Sequence, residues 1–248
     1  MAKLIGAAEL RSLLLTCGGL KLYEIDGGFG QPDVASYRSG HIPGAMLVDV
    51  IASFSETRVV NGKRLTVSRP NNAATFSKQL GDLGITDASE TIVLYARSPP
   101  FQHAATKVFW ATRAWWTLYT WGFENVMVLD GCFDAAWRSV GYDITKGDER
   151  YAPQAFNVAS LVDHVATTVS TTEEVVTVAA EGSTQLMDTL PGFPYTAAKF
   201  GWPGHITGAK SVDYTEVVDP GTGFFMPQEP FTQYLERSFD LSKRIVVY

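Results

Sequence analysis

The sequence predicts an α/β fold of two similar domains, each a parallel sheet flanked by helices, with the second domain incomplete. Three observations predict it. The hexapeptide Gly40-His41-Ile42-Pro43-Gly44-Ala45 returns as Gly204-His205-Ile206-Thr207-Gly208-Ala209, differing only at Pro43/Thr207. The copies lie a domain's length apart, too far for the short periods of solenoids or propellers. Strand and helix signals alternate through the first half, the pattern of βαβ units. Between the halves, the polar run Gly141 to Pro153 carries Gly147 and ends in a proline, which reads as a linker. The expected organisation is a first domain over 1–140, a linker over 141–155 and a second domain over 156–248.

The chain's start, Met1 to Leu10, carries Glu9 where a leader would be apolar and reads as an amphipathic first helix. Leu20 to Ile25 alternates with period two and predicts a strand. Ala45 to Val50 is apolar enough for a buried one. From Ala73 to Leu83, Ala74, Phe76, Leu80 and Leu83 share a helical face that Gly84 closes as a C-cap. Ile92–Tyr95 predicts a strand, 96–101 a loop, and 103–120 a tryptophan-rich helix. Val126–Leu129 is a further strand, with Asp130-Gly131 its turn. The second half resumes at Phe156–Val158, enters a helix at Thr171–Val175 and forms a strand at Thr184–Met187. Thr91–Tyr95 and Arg244–Tyr248 occupy matching places after His41 and His205. The first half then runs on through a helix, a strand and a turn to Trp137, and the second does not, so the second half is expected to stop short.

The 248 residues are 46% hydrophobic and 19% charged, with a net charge of −6. That is ordinary globular composition without a basic patch, so no nucleic-acid partner is expected. No apolar stretch reaches the roughly 18 residues of a membrane span. The two cysteines, Cys17 and Cys132, give neither a disulfide framework nor metal-ligand spacing, which points to a reducing compartment. A cytoplasmic location is expected, with a mitochondrial one as the alternative.

Several motifs carry a family resemblance. They are Ser39 to Ala45 with Asp49 following, Phe109-Trp110 through Trp115-Trp116, Gly122 to Val126 leading to Leu129-Asp130-Gly131, and Trp137. Asp188 before the second Gly-His-Ile, and Asp240 to Lys243 before the last strand, continue the series. In this order the chain resembles the tandem-domain rhodanese-like sulfurtransferases, the thiosulfate and 3-mercaptopyruvate sulfurtransferases, over nearly its whole length. Within the motif, small residues suit a tight turn into a buried strand. His41 and His205 read as structural hydrogen bonders, and the tryptophans as packing.

The resemblance implies transfer of a sulfane sulfur through a cysteine persulfide, with no cofactor or metal. The nucleophile would stand in the loop after the second domain's central strand, at a helix N-terminus where dipole and N–H groups stabilise a thiolate. That position falls just after Tyr248, so these residues hold no catalytic group. The first domain's equivalent loop is Tyr95 to Phe101, where Pro99 and Pro100 lack N–H donors and the reading is non-catalytic. Candidate contacts for a small sulfur-containing anion are Lys199 and Arg97. The resemblance also places two arginines after Asp188. Leu190 takes the first of those positions and Lys199 lies near the second, a poor substitute at a bidentate site. Asp49 survives, while its histidine partner in some relatives falls at Val67. Cys132 reads as a buried structural thiol and Cys17 as a helix-end residue. The expectation is a sulfurtransferase-family chain without turnover of its own. The alternative is a non-catalytic binding module completed by a protein partner or a homologous copy.

Overall fold

A computed structural model describes residues 3–27, 31–60, 62–67, 70, 72–97, 104–165, 170–182, 184–190 and 204–248. The chain divides into two compact units, one of residues 1–165 with 221–224, the other of 166–220 with 225–248.

In the first unit the order is β1 (Lys3–Ile5), α1 (Ala7–Thr16), β2 (Lys21–Asp26), α2 (Val34–Ser39), β3 (Ala45–Asp49) and α3 (Val50–Phe54). There follow β4 (Glu56–Val60), β5 (Lys63–Val67), α4 (Ala73–Asp82), β6 (Ile92–Tyr95), α5 (Ala104–Thr120) and β7 (Val126–Leu129). The main sheet runs β1-β7-β6-β2-β3, and every pair in it is parallel. Helices on both faces bury its central strands, which is why all four residues of β6 are buried. Glycine at the end of α4 does what the sequence asks: Leu83 closes the helix and Gly84 turns the chain at φ +74°.

Three expectations need correction. The opening residues form a strand before the helix, because Leu4 and Ile5 pair with Val128 and Leu129 at the sheet edge. A three-residue strand is too short to show its own period. Ala74 lies exposed, while Phe76, Leu80 and Leu83 are buried as expected. After Asp130-Gly131 the chain forms a π-helical turn over Phe133–Arg138, which seats Trp137 in the core with its Nε1 donating to Asp143 O at 2.8 Å. Phe156–Val158, where the second half is expected to resume, lies in the first unit, and a 3-10 turn spans Val158–Ser160 there. There Asn157 N donates to Thr86 O at 2.7 Å.

Residues 141–155 lie along the first unit. His41 and Thr145 form an antiparallel bridge, Arg38 grips Asp148 with two hydrogen bonds of 2.8–2.9 Å, and Tyr151 Oη donates to Gly44 O at 2.8 Å.

The second unit contains α6 (Thr172–Glu181), β8 (Gln185–Asp188), β9 (Lys210–Ser211), α7 (Gln228–Glu236) and β10 (Ile245–Val247). Thr171 caps α6, its hydroxyl accepting from Glu174 N. The sheet order is β10-β8-β9, again parallel throughout. This matches β6-β2-β3 of the first unit strand for strand. The two Gly-His-Ile turns agree in detail: Gly44 and Gly208 both take φ +83°, and Ala45 N and Ala209 N close the turns on Ile42 O and Ile206 O at 3.0 Å. Such a φ is costly for any residue with a Cβ, which explains glycine at the fifth position of each copy.

Candidate functional site

In parallel sheets, binding groups collect where strands end and loops begin at the carboxyl edge. In the first unit that edge carries Asp26, Asp49 and the residues after Tyr95. Asp49 caps α3, its Oδ1 accepting from Ile51 N at 2.9 Å and Ala52 N at 3.2 Å. Gly27 passes so close that a Cβ there would sit 2.7 Å from that oxygen. Asp26 Oδ2 accepts from Asp33 N at 2.8 Å. Val67, the place of the resemblance's histidine, is the last residue of β5, paired with Glu56.

Arg97 stands two residues past β6 and only 8% exposed. Its Nε donates to Glu24 Oε1 at 2.9 Å, and its Nη2 to Glu24 Oε2 at 3.1 Å and to Gly40 O at 2.6 Å. The guanidinium also lies 4.2 Å from the centroid of the Phe133 ring. Burial alone would lower its pKa, but the bonds and charge of Glu24 outweigh burial and raise it. Glu24 carries a third donor, Tyr95 Oη, at 2.8 Å. Burial first, then the charge and hydrogen bond of Glu24, hold the Tyr95 phenol well above its ordinary pKa. Arg97 therefore ties the loop after β6 to β2 and to the first Gly-His-Ile turn, its guanidinium engaged by Glu24 and Gly40 O.

The second unit repeats part of this arrangement. Tyr95 Oη accepts from Ile42 N at 3.3 Å, and Tyr248 Oη accepts from Ile206 N at 3.0 Å. Register makes Glu24, beside Tyr95, the counterpart of Asp188, because Tyr23 pairs with Leu94 and Met46 as Met187 pairs with Val247 and Lys210. Asp188 is 3% exposed and its Oδ1 accepts from Leu190 N at 3.0 Å. The adjoining Thr189 holds the carbonyl of Tyr248 twice, from N and from Oγ1, each at 3.2 Å. Lys199 lies outside the described residues.

Sequence reasoning missed Glu24, Tyr95 and Thr189. Glu24 sits inside an apolar strand, and its partner is 73 residues away, so only the fold brings them together.

Both cysteines lack a disulfide. Cys132 is fully buried beneath Gly223, where an added Cβ would meet its Sγ at 2.7 Å. Cys17 ends α1, half-buried, with its N donating to Leu13 O. Iodoacetamide at neutral pH is expected to label Cys17 and spare Cys132 in the native chain, read by peptide mass. His41 is buried and structural, its Nδ1 lying 3.0 Å from Tyr37 O, while His205 is exposed. Of the helix tryptophans, Trp115 packs α5 on β7 by donating to Val126 O at 3.2 Å. Among the described residues no group of three or more His, Cys, Asp or Glu could hold a metal, and no helix is long and apolar enough to cross a membrane.

No family model matches the chain. It is 30% identical over 201 residues to the 3-mercaptopyruvate sulfurtransferase of Escherichia coli K12, covering 77% of this chain and 64% of that protein. It is 26% identical over 228 residues to the sulfur carrier protein TtuD of Thermus thermophilus, covering 87% of this chain and 73% of that one. The chain thus spans less than two thirds of the Escherichia coli relative's length. Among solved structures, the Escherichia coli 3-mercaptopyruvate sulfotransferase SseA superposes with a TM-score of 0.77 at 23% identity, over 100% of this chain and 88% of that one. That structure's description names the rhodanese fold. Sequence relatives, fold and the ordered motifs agree: the chain belongs to the rhodanese-like sulfurtransferase family.

Proposed function

We propose that the protein serves sulfane sulfur transfer from thiosulfate or 3-mercaptopyruvate, as a tandem of two rhodanese-like domains of which the first is non-catalytic. One observation carries this reading. Tyr95 and Tyr248 hold equivalent places against Ile42 and Ile206, and in the first unit the loop that follows is occupied by Arg97 and Glu24. A persulfide-forming cysteine would belong after Tyr248, and neither Cys17 nor Cys132 stands in such a loop. With Cys132 buried and Cys17 at the end of α1, neither is placed as that nucleophile, and the purified chain is expected to give no turnover. Lys199 is the remaining candidate for a contact to the substrate anion; Arg97 serves the loop instead. The test is to incubate the purified chain with thiosulfate or 3-mercaptopyruvate plus cyanide and assay thiocyanate. Background-level product is expected, and turnover at rates typical of enzymes, about 1 per second or more, would overturn the inactive reading.

A second reading is a binding module that a protein partner or a second copy covers. It is favoured by β10, where Val247 is 57% and Tyr248 36% exposed, while the first unit's counterparts Leu94 and Tyr95 are fully buried. Exposed apolar strand surface favours association. Sedimentation at several concentrations is expected to show self-association or capture of a partner, and a monomer with no excess binding of an apolar dye would count against it.

A further inference from the structure

Two buried polar atoms in the first unit face one another without a hydrogen bond. His41 Nε2 lies 3.5 Å from Glu149 Oε2, and both atoms are solvent-inaccessible and unsatisfied. The other ring nitrogen fixes what this means. Nδ1 is 3.0 Å from the carbonyl oxygen of Tyr37, which can only accept, so Nδ1 carries a proton. In the neutral imidazole Nε2 then has only a lone pair to offer a carboxylate that also has only lone pairs. Adding a proton to Nε2 turns two facing acceptors into a charge-assisted hydrogen bond, the stronger kind.

The bond would join two elements already laid together. His41 and Thr145 exchange backbone hydrogen bonds of 2.9 Å, Gly147 N donates to Arg38 O at 3.0 Å, and Glu149 N donates to Tyr37 Oη at 3.2 Å. The Tyr37 ring stacks on the imidazole with centroids 4.0 Å apart, fixing its plane. We propose that His41 and Glu149 form an acid-engaged latch that tightens the 144–151 strap onto the Gly-His-Ile turn when His41 is protonated. The other charged groups around the imidazole are accounted for. Asp148 is taken by Arg38 in a bidentate pair, whose hydrogen bond is the main cause holding the Asp148 carboxyl below its usual range. Asp148 therefore stays ionised over the window in which a histidine changes charge. Arg97 is spent on Glu24 and Gly40 O, and Arg138 pairs with Asp134 at 3.1 Å. Glu149 is left as the carboxylate that faces the ring.

The test is native-state hydrogen exchange of the Thr145 and Gly147 amides in the full chain, corrected for intrinsic exchange, at about pH 8 and about pH 5.5, on either side of the usual histidine range. Protection in the wild type is expected to rise roughly tenfold on acidification, the low end of what a hydrogen bond to a charged group contributes. Glu149→Gln supplies an amide N–H that can donate to neutral Nε2. It is expected to protect both amides more than the wild type at the higher pH and to gain nothing on acidification. A wild-type profile that is flat or falls with acid, or an equal rise in Glu149→Gln, would overturn the latch. The nitrogen-15 spectrum of the His41 ring gives an independent reading: protonation of Nε2 that leaves strap protection unchanged overturns it as well.

Discussion

Arg97→Ala is expected to destabilise the first unit by about 3–5 kcal/mol, the range for removing one partner of a buried ion pair. The size follows from what stays behind. Glu24 is 2% exposed, and without Arg97 it keeps, among the described residues, only the Tyr95 hydroxyl as a donor. Gly40 O loses its 2.6 Å donor, and the Phe133 ring loses the cation over its face. The pair itself contributes far less than its loss costs, because forming it already required desolvating both charges. Neutralising the carboxylate as well should therefore restore part of the stability: Arg97→Ala/Glu24→Gln is expected to recover about 1–2 kcal/mol over Arg97→Ala, a coupling of the size contacting residues show. Glutamine keeps an acceptor for Tyr95. Arg97→Lys should fall between wild type and alanine, since an ammonium cannot reach Glu24 and Gly40 in the fork geometry. Urea denaturation with a double-mutant cycle measures all three. A loss below about 1 kcal/mol for Arg97→Ala, or a double variant no more stable than the single, would show that Arg97 behaves as a solvated surface arginine.

The same pair shows where sequence reading reaches its limit. Strands β3, β6 and β7 were legible because a strand covered on both faces is an almost unbroken apolar run. The duplicated turn was legible because its backbone demands small residues at fixed places. Glu24 was not. Period-two alternation in Leu20 to Ile25 implies a half-solvated strand, whereas β2 is buried from Leu22 to Asp26. Nothing local distinguishes a glutamate facing water from one facing an arginine far along the chain. The β4–β5 hairpin had a readable signal that periodicity overlooks: Asn61-Gly62 is the dipeptide of a tight two-residue turn, and Gly62 takes φ +76°. In the site, the family resemblance supplied the expected place of a nucleophile, in the loop after a sheet strand. The repeated Tyr–Ile contact that supports it, Tyr95 with Ile42 and Tyr248 with Ile206, needed coordinates.

Gly81→Ala is expected to reverse the usual sign of its class. Alanine in a helix interior normally gains about 1 kcal/mol over glycine, and Gly81 lies in α4. Here a Cβ would sit 2.3 Å from Gln154 O, and Gln154 N donates to Gly81 O at 2.9 Å, so two backbones meet at that glycine. Neither can rotate aside as a side chain would. One turn later Gly84 leaves a Cβ's space filled by Tyr151 Cβ at 2.5 Å. The outcome therefore separates two accounts of residues 141–155. If they were a pliable tether, Gln154 would shift away and the helix gain would appear as added stability. If they are seated on the first unit, the methyl must push α4 and the strap apart, with a net loss of about 2–3 kcal/mol, as for an overpacked core, and faster exchange at the Gln154 amide. Urea denaturation showing Gly81→Ala at or above wild-type stability would return 141–155 to the role of a linker. A loss of the stated size would place the end of the first folding unit beyond Gln154.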